Sequence, residues 1–246
     1  MKLSLDVDAP ALRAQLVGFL DDYVGRSGAG GVVVGLSGGL DSAVVMALCA
    51  EALGPRKVLA LLMPAEDSSA RDAAHARLVA AQWKVPVEEL PIQAIVDATM
   101  RACKHKPTKL AAANARARAR MMLLYHHANS LGRLVAATGN KSELLVGYFT
   151  KHGDGAGDLH PIGDLYKTQV RALAQHMAIP RAILAKPPTA GLWAGQTDEQ
   201  ELGVRYADLD RILLGFELQL SDASIARRAR VPPATVRKVQ AMVQRS

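Results

Sequence analysis

The sequence predicts an α/β fold with a doubly wound parallel β-sheet flanked by helices. First, short apolar runs rich in β-branched residues alternate with longer segments of helical spacing. Second, the run at residues 32–34 is continuously apolar, which is typical of a strand covered on both faces. Third, a strand, a glycine turn and a helix start occur at residues 32–42 and again at 134–147. Because parallel strands end at one edge of a sheet, both turns are expected at the same edge.

The first predicted element is an amphipathic helix over residues 11–24. Its apolar side chains, among them Phe19 and Tyr23, recur at helical spacing, and we interpret this face as packed on the core. Asp8 precedes the helix as a start signal, and Gly25 is the expected stop.

The remaining elements alternate along the chain. The predicted strands lie at residues 32–34, 58–63, 85–92 and 134–138. The predicted helices lie at residues 43–53, 71–83, 92–100, 110–131, 165–177, 179–184 and 199–214, and two short helices follow within 224–239. Glycine or proline stands at many of the intended ends, where these residues commonly stop helices and strands.

Three segments without periodicity are candidate ligand loops. Residues 66–69 form a polar loop after the second strand, and residues 148–158 form a glycine-rich loop too charged to be core. Residues 186–198 form the longest such segment, and a loop of this length is expected to be a lid or disordered.

The helix predicted at residues 110–131 carries an arginine-alanine repeat. Arg116 and Arg120 are four residues apart and share a face, whereas Arg118 points away from both. Taken alone, the repeat indicates a solvated basic face.

Length and composition indicate a single globular domain over residues 1–246, with a helical C-terminal part at about 199–246. No apolar run is long enough to span a membrane and no signal peptide is evident, so we expect a soluble cytoplasmic protein without a membrane partner. The formal charge of +7 suits polyanionic ligands, but aromatic residues make up only 4%, which argues against a base-stacking nucleic-acid surface. Cys49 and Cys103 lack metal-ligand spacing and are interpreted as small apolar or incidental residues.

The turn after the first strand reads Ser-Gly-Gly-Leu-Asp-Ser at residues 37–42. It is neither a Walker A loop nor a dinucleotide-binding glycine motif. Its glycines allow close backbone approach, and the following helix aims free N–H groups at the same point. Ser37 and Ser42 can donate hydrogen bonds to phosphate oxygens, whereas Asp41 would be repelled by phosphate unless a divalent cation lies between them. The turn therefore predicts an anion site with Mg²⁺.

These residues resemble the PP-loop of the ATP pyrophosphatases, which cleave ATP between the α and β phosphates and adenylate an acceptor. Further stretches resemble the NAD⁺ synthetase family in the same order along the chain: residues 114–121, 138–143, 147–158, 165–168, 186–190 and 195–203. The resemblance implies a Rossmann-like fold of the adenine nucleotide α hydrolase type. It also implies ATP-dependent amidation of deamido-NAD⁺ to NAD⁺ with ammonia, through an acyl adenylate, with release of AMP and pyrophosphate.

The resemblance also implies roles for individual residues. ATP would be bound by Ser37, Gly38, Gly39, Asp41, Ser42, Arg118, Thr138, Lys167 and Thr189. Mg²⁺ would be held by Asp41 and Glu143, and deamido-NAD⁺ by Tyr148, Phe149, Lys151 and Asp158. The catalytic candidates are Asp41, Lys167 and Asp154, the last of which would orient or deprotonate ammonia. On the residues alone, Glu143 could merely cap a helix, Lys167 could lie on the surface and Tyr148 could be core.

Two other functions remain open on the sequence alone. The chain could be a different PP-loop amidoligase, or it could bind DNA through the two short arginine-rich helices near residues 224–239, which look like a helix-turn-helix. Arg116 stands where the family often has glutamine, and Gly191 where aspartate is usual. No glutaminase domain is evident, so ammonia is the expected nitrogen donor. The basic C-terminal tail of many family members is also not evident, which would lower activity if the tail is needed. A homodimer with the dinucleotide at the subunit interface is implied by the resemblance alone.

Overall fold

The computed structural model describes residues 3–66, 68–189, 191 and 195–246, and within them a four-stranded parallel sheet forms the centre. Its strands are β1 (Val32–Gly35), β2 (Val58–Leu62), β3 (Val87–Glu89) and β4 (Leu134–Ala136), in the order β3-β2-β1-β4. Strand order reverses between β1 and β4, which is the point where open parallel sheets bind ligands. The predicted doubly wound parallel sheet is confirmed.

Twelve α-helices and a 3₁₀-helix at Pro55–Lys57 are present in the described part of the chain, and the α-helices are numbered in order. They are α1 (Ala9–Ser27), α2 (Leu40–Leu53), α3 (Ala70–Gln82), α4 (Gln93–Ala102), α5 (Lys109–Leu131), α6 (Lys141–Val146), α7 (Lys167–His176), α8 (Arg181–Leu184), α9 (Asp198–Leu202), α10 (Tyr206–Glu217), α11 (Asp222–Ala229) and α12 (Pro233–Val243). Within the same residues, no helix has the length and apolar character needed to cross a membrane.

The two faces of the sheet bury alternate residues of β1. Val32 and Val34 pack in the layer that contains α1, α2, α3 and α7, whereas Val33 packs in the opposite layer with α4 and α5. This alternation follows from the two-residue period of a strand. It explains why the apolar run is continuous: both faces of β1 are covered.

The C-terminal helices form a third apolar cluster at one end of the sheet. Its fully buried side chains include Leu209, Ile212, Ile225 and Val236, and the cluster also contains Tyr166, the residue before α7. The two short helices that resemble a DNA-reading motif, α11 and α12, therefore pack on α10 through their apolar faces.

Several predicted details are wrong. Helix α1 does not stop at Gly25 but continues to Ser27 and ends at Gly28, which adopts a φ of 73°. Phe19 and Tyr23 do not pack in the core, since they are 44% and 41% exposed. The strand predicted at residues 85–92 is shorter, because only β3 pairs with β2.

The single helix predicted over residues 199–214 is also wrong, because it is two helices. Helix α9 ends at Gly203, whose left-handed φ of 61° breaks the helical path. Helix α10 then starts anew, and the Glu199 carboxylate accepts a hydrogen bond from the Tyr206 amide at 2.9 Å. Asp67 of the predicted polar loop, and residues 190 and 192–194 of the predicted lid, lie outside the described residues.

Candidate active site

The turn after β1 is shaped by backbone constraints. Gly38 has a φ of 75°, and a Cβ added there would lie 2.1 Å from the Asp72 carbonyl oxygen, so only glycine fits. The Ser37 and Ser42 hydroxyls lie 3.1 Å apart, and Ser42 Oγ donates to the Gly39 carbonyl at 3.1 Å. Helix α2 follows with no side-chain cap on its first N–H groups. The turn is therefore preformed for an anion at a helix N-terminus.

Three helix N-termini bring Asp41, Glu143 and Lys167 together. The Lys167 ammonium lies 2.5 Å from Asp41 Oδ2 and 3.0 Å from Glu143 Oε1. These residues belong to the first turns of α2, α6 and α7. The Lys167 side chain is only 8% exposed, so the alternative of a surface lysine is wrong.

Helix capping does not account for Glu143 by itself. Glu143 does form a capping box with Asn140, whose Oδ1 accepts a hydrogen bond from the Glu143 amide at 3.1 Å. Glu143 Oε2 accepts a hydrogen bond from the Asn140 amide at 3.4 Å. Glu143 Oε1 meets the Lys167 ammonium and also accepts a hydrogen bond from the Tyr206 hydroxyl at 3.3 Å. One carboxylate thus fixes the helix start and faces the shared cation.

Burial and mutual charge set the protonation of this cluster. Burial raises the pKa of Glu143 to about 7, which Lys167 opposes and Asp41 reinforces. Burial alone would lower the pKa of Lys167, but the charges of Asp41 and Glu143 outweigh it and raise that pKa above its usual value. Lys167 is therefore a permanent cation at neutral pH, whereas Glu143 changes charge near neutrality.

The donor set fits a magnesium ion that shares its ligands with a nucleotide. Asp41 and Glu143 present carboxylate oxygens to one common cation, the Lys167 ammonium. Among the described residues no cluster of three or more histidine, cysteine or acidic side chains could hold a metal alone. Mg²⁺ usually takes one or two carboxylates and completes its shell with water and substrate phosphates, so two carboxylates suffice.

A cavity of about 1700 Å³ opens above this cluster at the carboxyl edge of the sheet. This volume exceeds the ~300–1000 Å³ of common small-molecule pockets, which leaves room for two substrates. It is lined by most of the residues predicted from the sequence: Ser37, Gly39, Asp41, Ser42, Thr138, Glu143, Tyr148, Phe149, Asp154, Lys167 and Thr189.

Four predicted site residues do not line this cavity. Gly38 is the part of the turn that faces α3. Arg118 donates from Nε to the Lys151 carbonyl at 3.1 Å, and both side chains lie on the outer surface. Asp158 accepts hydrogen bonds from the Val135 amide at 2.8 Å and from a tyrosine hydroxyl of α5, which ties the glycine-rich loop to β4. Their ligand roles stay predictions.

A phenol-carboxylate network beside Glu143 was not predicted from the sequence. The Tyr206 hydroxyl donates toward Asp198 at 3.2 Å as well as toward Glu143, and the Tyr148 hydroxyl meets Asp198 and Glu201 at 3.2 and 2.5 Å. Tyr148 packs against the C-terminal apolar cluster with its hydroxyl hydrogen-bonded to Asp198 and Glu201, so core packing accounts for its ring but not for its hydroxyl. In the sequence, Asp198 and Glu201 look like ordinary acidic residues at a helix start. Only their proximity to Tyr148 in the structure shows that they belong to a network.

Two cations at the cavity wall were also missed. Arg120 lines the cavity and donates from Nε to the Met63 carbonyl at 2.9 Å, at the end of β2. Lys186 lies 2.6 Å from Asp72 and joins the loop after α8 to α3. The arginine-alanine repeat is therefore not solvated throughout, because the face that carries Arg120 is turned toward the cavity.

Comparison with known proteins identifies the family. The sequence model described as NAD synthase matches residues 12–246. The NH₃-dependent NAD⁺ synthetase of Methanocaldococcus jannaschii is 44% identical over 232 residues, which cover 93% of this chain and 89% of the relative. The Archaeoglobus fulgidus protein of the same name is 51% identical over 199 residues, or 79% of each chain.

Solved structures agree with the sequence comparison. The NMN synthetase of Francisella tularensis superposes with a TM-score of 0.87 at 34% identity, covering 98% of this chain and 95% of that one. The NH₃-dependent NAD synthetase of Campylobacter jejuni, in complex with nitrate, superposes with a TM-score of 0.83 at 32% identity over the same shares. With its PP-loop turn, its parallel sheet and these matches, the chain belongs to the NAD synthase family.

Proposed function

We propose that this chain is an ammonia-dependent NAD⁺ synthetase, which amidates deamido-NAD⁺ to NAD⁺ at the expense of ATP. The observation that carries the proposal is the meeting of Asp41, Glu143 and Lys167 beside an anion-binding turn, at the floor of a cavity large enough for both substrates. The curated relatives that match over most of the chain carry the name NH₃-dependent NAD⁺ synthetase.

The reaction needs activation because a carboxylate resists attack by ammonia. One oxygen of the nicotinate carboxylate attacks the α-phosphorus of ATP, and pyrophosphate leaves. Ammonia then attacks the acyl carbon of the adenylate, and AMP leaves. Both steps depend on placing reactants and neutralising charge, which the enzyme does with fixed cations and dipoles.

Each part of the site has a place in this scheme. Ser37, Gly39, Ser42 and the first amides of α2 bind the phosphates, and Lys167 supplies positive charge to them. Asp41 and Glu143 would hold Mg²⁺, which when bound neutralises charge on the phosphate oxygens. Thr138 and Thr189 line the cavity wall, where they would contact the nucleotide. Gly38 allows the turn itself.

The acceptor and the amine bind next to Tyr148 and Phe149 in this proposal. Both residues line the cavity, and Lys151 and Asp158 belong to the loop that follows them. Asp154, whose Oδ1 accepts a hydrogen bond from the Thr150 amide at 3.0 Å, orients ammonia and accepts a proton from it.

A second copy of this chain is the proposed partner. Phe19 and Tyr23 stack with ring centroids 5.6 Å apart on the surface of α1, and the Tyr23 hydroxyl donates to the Asp158 carbonyl at 3.2 Å. Exposed aromatic rings beside the glycine-rich loop of residues 148–158 are typical of a subunit interface. The cytoplasmic location and the absence of a nucleic-acid partner stay predictions.

A second candidate acceptor is the mononucleotide. The F. tularensis structure that covers 98% of this chain is named an NMN synthetase. Amidation of nicotinate mononucleotide is the same chemistry on an acceptor without the adenylate half. The two candidates therefore differ only in which acceptor is used.

The test supplies purified protein with Mg²⁺-ATP, either ammonium or glutamine, and either deamido-NAD⁺ or nicotinate mononucleotide. We expect NAD⁺ and pyrophosphate from deamido-NAD⁺ with ammonium alone, and loss of both products in Asp41→Ala. Preferential use of the mononucleotide would replace the proposed acceptor. No amide product from either acceptor, or retardation of duplex DNA in place of ATP turnover, would overturn the proposal.

A further inference from the structure

Asp210 is a charged side chain that the proposed reaction does not use, yet it is completely buried. It lies on α10. One carboxylate oxygen accepts the Ser142 hydroxyl at 2.6 Å, and the other accepts the Thr168 amide at 2.8 Å. A carboxylate without solvent is costly unless its oxygens are satisfied by hydrogen bonds or opposite charge. These two donors satisfy it.

The partners of Asp210 adjoin the residues of the ion cluster. Ser142 immediately precedes Glu143, and its hydroxyl oxygen also accepts a hydrogen bond from the Lys167 amide at 2.9 Å. Thr168 immediately follows Lys167. Asp210 is therefore linked to the first two amides of α7 and to the residue before Glu143.

These hydrogen bonds connect three helices at one point. Helix α6 carries Glu143, α7 carries Lys167, and α10 holds both through Asp210. The separation between Lys167 and Glu143 depends on how the starts of α6 and α7 lie relative to each other. Buried hydrogen-bonded groups fix such relations more narrowly than apolar contacts, which tolerate sliding.

We propose that Asp210 is a positioning residue for the reaction: through Ser142 and the α7 amides it sets the placement of Lys167 against Glu143, and hence of the ATP phosphates. The proposal rests on the proposed function for its kinetic consequences. Its binding consequences, for Mg²⁺-ATP, require only that the cluster binds the nucleotide.

A matched control lies two turns further along the same helix. Glu217 accepts the Tyr166 hydroxyl at 2.8 Å and pairs with the Lys141 ammonium at 2.6 Å, so it also joins α10 to the starts of α6 and α7. Its side chain is 39% exposed, and it holds side-chain tips that do not line the cavity. Losing it weakens the same helix junction without releasing the α7 amides.

The experiment compares Asp210→Asn, Ser142→Ala, their double variant and Glu217→Gln in the full chain. An amide at position 210 cannot accept from both donors as the carboxylate does, and alanine at 142 leaves the Lys167 amide without its acceptor. We expect kcat to fall at least tenfold in Asp210→Asn and in Ser142→Ala, with the KM for deamido-NAD⁺ within twofold of the wild type. The double variant should lose little more than the worse single variant, because the two groups act as a unit.

Two further measurements separate positioning from stability. Calorimetric titration with Mg²⁺-ATP should show at least tenfold weaker binding in Asp210→Asn and unchanged binding in Glu217→Gln, and melting temperatures place the variants on one stability scale. If Asp210→Asn does not fold, Ser142→Ala carries the test. The proposal would be overturned if kcat and the affinity for Mg²⁺-ATP fell in proportion to the fall in melting temperature, and did so to the same degree in Asp210→Asn and Glu217→Gln. A wild type that binds Mg²⁺-ATP but makes no NAD⁺ would contradict the proposed function and leave the binding comparison decisive.

Discussion

Lys167 is the residue on which the charge balance of the site depends. It is the cation that faces both Asp41 and Glu143, and all three side chains are less than one-fifth exposed. Two buried carboxylates without a cation between them repel each other and lose their hydration.

Lys167→Met should therefore lower the free energy of unfolding by about 3–5 kcal/mol at pH 8, because it leaves two buried negative charges unpaired. Millimolar Mg²⁺ should restore much of that loss by taking the place of the ammonium. Urea unfolding with and without Mg²⁺ measures both effects. Lys141→Met is the control, since Lys141 also pairs with two carboxylates but outside the cavity. Equal rescue of both variants by Mg²⁺ would contradict the expectation.

Glu143 should make the metal-free protein less stable as the pH rises toward neutrality. Its pKa is raised from 4.5 to about 7 in the folded state, chiefly by burial. Between these values the folded protein binds more protons than the unfolded chain, so its stability is full at low pH and falls as pH rises.

The measurement is the difference in unfolding free energy between the wild type and Glu143→Gln, at pH 4.5 to 8 in a chelating buffer. From pH 4.5 to pH 8, the wild type should lose up to about 3 kcal/mol of unfolding free energy relative to Glu143→Gln, since each pKa unit corresponds to ~1.4 kcal/mol. A constant difference, or one that favours the wild type at higher pH, would show that Glu143 does not titrate as stated.

Gly38 and Gly39 offer a matched pair within the phosphate-binding turn. Gly38→Ala would place a Cβ against the Asp72 carbonyl at a positive φ, whereas the nearest atom to a Cβ at Gly39 is the movable Ser37 hydroxyl at 3.2 Å. We expect Gly38→Ala to cost about 1–3 kcal/mol of stability and to abolish ATP binding. Gly39→Ala should have the smaller effect in thermal melts and nucleotide titration, and the reverse order would contradict this geometry.

Residue chemistry at the turn could be predicted from the sequence, but the surroundings of Lys167 could not. Two serines, two glycines and an aspartate within six positions predict an anion-binding turn from the local sequence alone. A lysine at a helix start gives no sign that it is buried, because its partner Asp41 is 126 residues away. Separations of 68 residues between Ser142 and Asp210, and of 63 residues between Glu143 and Tyr206, conceal those contacts in the same way.

At the scale of elements, an ion pair between Lys186 and Asp72 joins the described part of the loop after α8 to α3. Lys186 and Asp72 lie 2.6 Å apart with about a quarter of each side chain exposed. Pro188 and Thr189 of the same loop line the cavity. The pair therefore ties a cavity wall to the helix that supports Gly38.

Lys186→Met should raise the KM for ATP several-fold while costing only about 0.5–1 kcal/mol of stability, because partly exposed ion pairs contribute little to folding. Steady-state kinetics and thermal melts measure the two effects. Arg13→Met breaks a pair of similar exposure between α1 and α2, away from the cavity, and should leave the KM unchanged. If both variants raise the KM alike, the loop is not held by Lys186.

Element prediction succeeded where periodicity was strong and failed where one glycine decided the outcome. Helix α5 begins within one residue of its predicted position, since Thr108 caps it and Gly132 ends it. Gly25 and Gly203 are both glycines within helical patterns, yet only Gly203 adopts a left-handed φ and breaks the helix. Local propensity alone does not separate the two cases.

At the scale of the whole molecule, the exposed rings of α1 predict association. Phe19→Glu should convert a dimer to a monomer in sedimentation or light-scattering experiments, because it places a charge in an apolar contact. Leu218→Glu, at another exposed apolar residue, should leave the dimer intact. A wild-type protein that is monomeric in solution would contradict the proposed subunit interface.

The fold class could be predicted because parallel sheets mark their strands with continuous apolar runs. The packing of helices α9 to α12 at the sheet edge could not be predicted, because their sequence does not indicate which surface their apolar faces cover. We therefore regard residues 1–246 as one domain by proposal, on the contacts of α10 with α6 and α7.

The strand order has a consequence for biosynthesis. Strand β1 pairs with β4 although β2 and β3 are made first. A nascent chain that has emerged only through α5 carries a central strand with one unpaired edge, which is a hazard for aggregation. It also presents Asp41 without Lys167, which has not yet emerged. Pairing with β4 covers that edge, but the ion cluster is complete only once α7 has followed, so a fragment that ends before α7 lacks one of the three charged residues of the site.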